Sequence, residues 1–408
     1  MKIEQNNSIK RIDVADLKIG MHVKEFCSNW IDNPFWRNSF VITSENELEK
    51  IRHSSVKEVI VYVEIPSAPE PRDEDKRPLI IIADKIESNT LKRVSIEEEL
   101  KKASILCAGS KKAVAAMFEE VRMGKAVDSG LAQQLVEDIT NSVARNPGAL
   151  ISLARLKTAD DYTYMHSVAV CAMMVALAKQ LSLDEKETRL CGIAGLMHDL
   201  GKIAMPAEIL NKPGKLTEDE FKIIKSHPTE GHKLLVTASD ISDLVLDVCL
   251  HHHEKMDGSG YPDGLEGHQI SLHSKMGAVC DVYDAITSNR PYKAGWDPSE
   301  SIQKMAQWSG HFDPAVFQAF VKSIGIYPIG SLVRMESGRL GIVVDQTEKS
   351  LTTPMVKVFF SLRSEMRIPP ILIDLSKTNA TDRIVAREDP AVWKFNFLND
   401  LWSVGVAK

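Results

Sequence analysis

The chain has 408 residues, 44% of them hydrophobic, with a formal net charge of −6. That length allows two or three domains and that composition a sizeable core, while the acidic balance and the lack of a long basic run argue against a nucleic-acid polymer as main partner. The longest apolar run, Val168–Ala178, is too short to span a bilayer, the N-terminus shows no apolar leader-like stretch, and Cys27, Cys107, Cys171, Cys191, Cys249 and Cys280 make no CxxC pair. A cytoplasmic protein with reduced, buried thiols is expected, with neither a membrane segment nor a disulfide framework.

Residues 1–64 alternate apolar and polar segments. Ser44–Arg52 reads as a short helix, with Ser44 and Glu47 at capping-box spacing. The β-branched run Val56–Val63 reads as a strand. Residues 65–78 are proline-rich and charged, which predicts a linker or mobile loop. From Ser95, with Glu98 at capping-box spacing, two helices are predicted to about Arg145, stopped by Asn146-Pro147-Gly148. Residues 149–325 follow helical periodicity nearly throughout. Within them Ser182 with Glu185 and Thr217 with Glu220 mark helix starts, Asn211–Gly214 is a break, Asp240–His251 is a helix, and Gly258–Gly267 is a glycine-rich loop. After Tyr327-Pro328 short strands are predicted at Ser331–Met335, Leu340–Asp345 and Pro354–Ser361, with a turn at Gly338. The reading is a mainly α chain in three parts: an α/β accessory region over 1–145, a helical catalytic region over 146–326, and a short β-rich appendage over 327–408.

Chemistry concentrates in the middle part. Of twelve histidines, nine fall between His166 and His273. Two segments stand out: His198-Asp199-Leu200-Gly201-Lys202, and His252-His253-Glu254 running into Asp257-Gly258-Ser259-Gly260-Tyr261-Pro262. Histidine and aspartate on apolar helices are costly to bury unless something binds them. His166, His198, Asp199, His227, His252, His253 and Asp281 are seven ligand-type residues on five segments, and they converge only if the bundle folds around them. Asp281 is expected to open a later helix, with Asp284 three residues on. Imidazole and carboxylate donors together suit Fe, Mn or Zn better than Mg or Ca. Two such ions about 3.5–4 Å apart can hold a bridging hydroxide, and coordination can bring the pKa of water to about 7. Lys202 projects over the same face as His198 and Asp199, suited to a phosphate or a leaving oxygen. Any one of these histidines alone is more often a packing residue; the ordered combination carries the argument.

That combination resembles the HD-GYP domains, cyclic di-GMP phosphodiesterases of the HD superfamily. The resemblance covers about Asp161 to Ala294 and rests on Tyr164–Ser167, His198–Lys202, His227-Pro228, His252–Glu254, Gly260–Pro262, Asp281–Ala285 and Arg290–Lys293. It implies an HD-type helical bundle. It also implies that His166, His198, Asp199 and Asp281 hold one metal ion and Asp199, His227, His252 and His253 a second, with Asp199 bridging. Fe or Mn is the implied metal, with Zn or Ni as alternatives. Lys202 corresponds to the lysine near the scissile phosphate, Arg290 and Lys293 to basic residues holding substrate phosphates, and Tyr261 to the loop tyrosine of the substrate pocket. The implied reaction is hydrolysis of cyclic di-GMP by the bridging hydroxide to pGpG, and onward to GMP. Some members carry a glutamate four residues before the first histidine that supports a third metal; this chain has Tyr162 there, beside Asp161, so a two-metal site is favoured. Glu254 is expected to hydrogen-bond a ligating histidine, Asp284 is open between such a role and the helix surface, and His251 is expected outside the cluster. The region from Ile9 to Val63 resembles a domain of unknown function often placed before HD-GYP domains, and a protein partner or a second copy of the chain is expected to use it. Two other readings stay open: an HD phosphohydrolase of another nucleotide, and a cyclic di-GMP receptor or scaffold without turnover.

Overall fold

The computed structural model describes residues 9–26, 40–52, 57–62, 92–156, 162–212, 214–238, 240–288, 295–347, 350–378, 380 and 382–403. The chain divides into two compact units, Met1–Thr90 and Leu91–Lys408. In the first, β1 (Ile9–Asp13), β2 (His22–Phe26), β3 (Phe40–Val41) and β4 (Glu58–Tyr62) form an antiparallel sheet in the order β1-β4-β2-β3, joined by α1 (Glu45–Arg52). Leu17, Val23, Ile42, Leu48, Ile51 and Val59 build its core. The linker expected at 65–78 lies outside the described residues.

The second unit opens with α2 (Ile96–Arg122), α3 (Ser129–Arg145), α4 (Pro147–Arg155), α5 (Tyr162–Gln180) and α6 (Glu185–Met197). It continues through α7 (Ala207–Leu210), α8 (Glu218–Ile224), α9 (His227–Val236), α10 (Asp243–His251), α11 (Leu272–Thr287), α12 (Pro298–Gln307) and α13 (Pro314–Ile324). From Met165 to Ala178 every residue of α5 is buried. A helix apolar on all sides must be surrounded, and α5 packs against α2, α3, α4, α6, α11 and α13. The sequence reading groups residues up to 145 with the N-terminal part. In the structure α2 and α3 belong to the second unit, their apolar faces covered by α4, α5 and α6.

Three element boundaries differ from expectation. Ser182 does not start a helix: it sits at φ 59° and ends α5, with Leu183 N–H donating to Ala178 and Ser182 N–H to Lys179. The cap of α6 is Asp184, whose carboxylate accepts the Glu187 N–H at 2.7 Å. The helix expected from Asp240 begins at Asp243 behind the cap Ser242. Asp281 lies inside α11, which starts nine residues earlier behind the cap Ser271, so the aspartate faces the core from a continuous helix. The capping box at Thr217 and Glu220 forms as expected.

The fully buried Glu99 of α2 ties down α3. Its carboxylate accepts Arg145 Nε at 2.6 Å, Arg145 Nη2 at 2.8 Å and Ser142 Oγ at 2.8 Å. Removing one partner of such a pair strands the other charge, so Glu99→Ala is expected to cost about 3–5 kcal/mol in urea unfolding.

The unit ends in β5 (Leu332–Met335), β6 (Arg339–Asp345), β7 (Met355–Ser361), β8 (Met366–Asp374) and β9 (Ile384–Arg387), an antiparallel sheet in the order β8-β7-β6-β5-β9, followed by α14 (Pro390–Trp393) and α15 (Leu398–Trp402). It is part of the same compact unit as the helices: Asp345 of β6 accepts Ile96 N–H and Asn146 Nδ2, each at 3.4 Å. The sequence shows β5, β6 and β7 but hides β8. That strand carries Pro369-Pro370, which is tolerated on a sheet edge, and its register slips there: Val358 faces Ile371 while Phe360 faces Arg367. Among the described residues no helix is long and apolar enough to cross a membrane.

Candidate metal centre

Five segments deliver seven side chains to one place. His166 comes from α5, His198 from the end of α6, Asp199 from the next residue, His227 from the first position of α9, His252 and His253 from the end of α10, and Asp281 from the middle of α11. A 3-10 turn, Leu200–Ala204, follows Asp199 and packs on α9. The contact is backbone to backbone: a Cβ on Gly201 would stand 1.9 Å from the His227 carbonyl oxygen and 2.4 Å from Gly231 N. Only glycine lets the turn bring Asp199 and His227 this close.

The ligand-type atoms form two groups. His166, His198 and Asp199 make one, and His227, His252 and His253 the other, each with its ligand atoms within 4.8 Å of one another. Asp281 Oδ1 is 3.0 Å from His166 Nε2 and belongs with the first. Asp199 reaches both. Its Oδ2 is 3.3 Å from His166 Nε2 and 3.4 Å from His198 Nε2, and its Oδ1 is 3.2 Å from His227 Nε2 and 3.9 Å from His252 Nε2.

The hydrogen bonds behind the cluster decide which nitrogen faces inward. Nδ1 of His198 lies 2.8 Å from the Gly195 carbonyl, Nδ1 of His227 2.7 Å from Ile224, and Nδ1 of His252 3.0 Å from Cys249. A carbonyl only accepts, so each Nδ1 carries the proton and each Nε2 turns a lone pair to the centre. Asp284, buried on α11, holds His166 Nδ1 at 2.6 Å in the same way. The Nε2 atoms then face each other, His166 against His198 at 3.2 Å and His227 against His252 at 3.3 Å, so that a proton or a cation must lie between them. Asp199 Oδ1 is buried with no hydrogen-bond partner. Opposed acceptors around an unpaired carboxylate oxygen are unfavourable unless cations sit among them. The donor set therefore fits divalent metal ions.

Electrostatics agree. Burial opposes ionisation of Asp199, but Lys202 and the surrounding histidines hold its carboxyl well below the usual range. Burial likewise opposes a charge on His166, yet Asp199, Asp281 and Asp284 outweigh it and lift the imidazole to about 10. Burial keeps His253 neutral, pushing it down to about 3. A pocket that draws a proton onto His166 is one that asks for positive charge. Lys202 Nζ bonds Asp199 Oδ2 directly.

The glycine-rich loop folds back over the second group. Tyr261 stacks on His253, ring centroids 4.6 Å apart at 26°. A Cβ on Gly260 would stand 2.4 Å from Glu254 Cα, so the loop lies flat on the His-His-Glu backbone. The sequence reading expects Glu254 to bond a ligating histidine; it bonds main-chain amides instead. Its buried carboxylate accepts the N–H groups of Asp263 at 2.8 Å, Gly264 at 3.0 Å and Leu265 at 3.0 Å, which fixes the loop's path. His251 stays outside the cluster, between Asp247 at 2.7 Å and Asp263 at 3.1 Å. Arg290, Lys293 and Asp161 lie outside the described residues, as does the side chain of Tyr162. Lys225, which nothing in the sequence singles out, brings its ammonium to 5.2 Å from the Tyr261 ring.

The family model of the HD domain matches residues 138–316, and that of a domain of unknown function, DUF3391, matches 9–132. A cyclic di-GMP phosphodiesterase of Pseudomonas aeruginosa is 51% identical over 405 residues, spanning 98% of this chain and 97% of the relative. The chain belongs to the HD-GYP family. Other relatives match a smaller share of the chain. A cyclic di-GMP phosphodiesterase response regulator of Xanthomonas campestris is 38% identical, over 47% of this chain and 52% of that one. A 3′3′-cGAMP-specific phosphodiesterase of Vibrio cholerae is also 38% identical, over 40% of this chain and 38% of that one. HD-domain phosphohydrolases bind divalent metals, in keeping with the donor set above.

Proposed function

We infer that the protein hydrolyses a phosphodiester bond of cyclic di-GMP, giving linear pGpG and, by a second cut, GMP. The observation that carries this reading is Asp199, whose two oxygens face two separate groups of lone-pair nitrogens. His166, His198, Asp199 and Asp281 would hold one divalent ion, and Asp199, His227, His252 and His253 the other. Such ions, Fe or Mn by the family resemblance with Zn or Ni compatible, would supply Lewis acidity toward the phosphoryl oxygens and lower the pKa of water.

The chain's own residues do the rest. Asp284 and the carbonyls of Gly195, Ile224 and Cys249 fix the imidazole tautomers. Lys202 stands at Asp199, where its ammonium stabilises charge developing on the phosphoryl oxygens and can donate a proton to the departing ribose oxygen. Tyr261, its phenol kept neutral by burial, packs substrate against His253. Arg290 and Lys293 keep the role that the family resemblance gives them, anchoring a phosphate.

The test is metal analysis coupled to turnover, with cyclic di-GMP and 3′3′-cGAMP as substrates. Two ions per chain and conversion of cyclic di-GMP to pGpG are expected. Chelation should abolish turnover and re-addition of Mn or Fe restore it. Tight binding without conversion by the loaded protein would make it a receptor; turnover of 3′3′-cGAMP alone would reassign the substrate.

A further inference from the structure

A cyclic dinucleotide carries two phosphodiesters on one ring. When one lies at the metal cluster, the other lies away from it and still carries a negative charge. A cation stands near the opening of the cluster that could receive it. Of the seven cluster side chains, His253 is the most exposed, at 21%, while the others are at 9% or less. The cluster therefore opens on the side of His253, where Tyr261 stacks. At that opening Lys225 closes the end of α8. Its ammonium lies 5.2 Å from the Tyr261 ring centroid and 4.9 Å from that of Phe221, itself 47% exposed. No carboxylate among the described residues lies within 4.0 Å of it. Lys202, in contrast, is engaged with Asp199 inside the cluster.

We propose that Lys225 binds the second, non-scissile phosphate of the cyclic dinucleotide, its ammonium poised on the aromatic pair Tyr261 and Phe221. The proposal rests on the reading of the protein as a cyclic-dinucleotide hydrolase. Two rings hold the ammonium by weak cation–π attraction without neutralising it, so the charge remains available to an anion. A half-buried cation with no carboxylate partner among the described residues, beside the tyrosine that packs the substrate, is a phosphate site by charge and by position. The residue acts in binding, not in bond cleavage, because it reaches no ligand-type residue of the cluster.

The experiment compares metal-loaded full-length wild type, Lys225→Met and Lys225→Arg on two substrates: cyclic di-GMP, and bis(4-nitrophenyl) phosphate, which has one phosphate only. A lost charge-assisted contact predicts a KM for cyclic di-GMP about 10- to 100-fold higher in Lys225→Met, with kcat within about twofold. The ratio of kcat/KM for cyclic di-GMP to that for the single diester should fall by the same factor, and Lys225→Arg should recover most of it. A KM within about twofold of wild type would overturn the proposal. So would an equal loss on both substrates, which would place Lys225 in support of the cluster, or a failure of arginine to rescue. Wild type that cleaves the single diester but never cyclic di-GMP would instead remove the substrate reading, and the proposal with it.

Discussion

Asp199→Asn is expected to lower kcat for cyclic di-GMP roughly 10³-fold, the upper scale for deleting one group that stabilises transition-state charge. Asparagine keeps the shape but surrenders the anion, and three consequences follow from the geometry. Lys202 loses the carboxylate that fixes it. The two histidine groups lose a carboxylate that turns one oxygen to each of them. One of the two oxygens is replaced by an amide NH₂, which repels a cation. Metal analysis should show fewer than two ions per chain beside the kinetic loss. Turnover within about tenfold of wild type at full metal occupancy would contradict the central place given to this carboxylate.

The second large effect is expected at a residue that carries no side chain at all. Gly201→Ala introduces a methyl group 1.9 Å from the His227 carbonyl oxygen and 2.4 Å from Gly231 N, both backbone atoms that cannot swing aside. The turn and α9 must part, at a cost of about 3 kcal/mol or more. Because Asp199 and His227 ride on those two elements, their 3.2 Å approach opens as well. Lower thermal stability and weaker metal binding should appear together. A variant that unfolds at the wild-type temperature and holds two ions would show that the backbones can yield.

What the sequence reveals and what it hides follow different physics. His166, His198, Asp199, His227, His252 and His253 are legible because each breaks a hydrophobic pattern at a cost that demands a compensating ligand. Helix starts at Ser95 and Thr217 are legible because their capping signals act over three residues. The start at Ser182 misleads because a serine can equally close the preceding helix in a left-handed turn. Asp281 reads as a helix start from its charge, yet it is tolerated mid-helix by His166 across the core. Glu254 hides its task because its partners are main-chain amides, which every sequence supplies. Lys225 hides because Tyr261, 36 residues away in the chain, meets it only after folding. The placement of α2 and α3 with the second unit is also hidden, since an apolar face does not name what covers it.

The outermost strand of the C-terminal sheet has one more consequence. β8 leaves Met366, Ile371 and Leu372 in contact with solvent, on a border where another extended chain would find a hydrophobic seam to zip against. Pro369 and Pro370 interrupt that seam: they offer no N–H, and the slipped register beside them bends the ribbon out of line. The molecule thus carries its own guard against fibre-like stacking, and replacing the proline pair with valines would trade a protected rim for an aggregation-prone one.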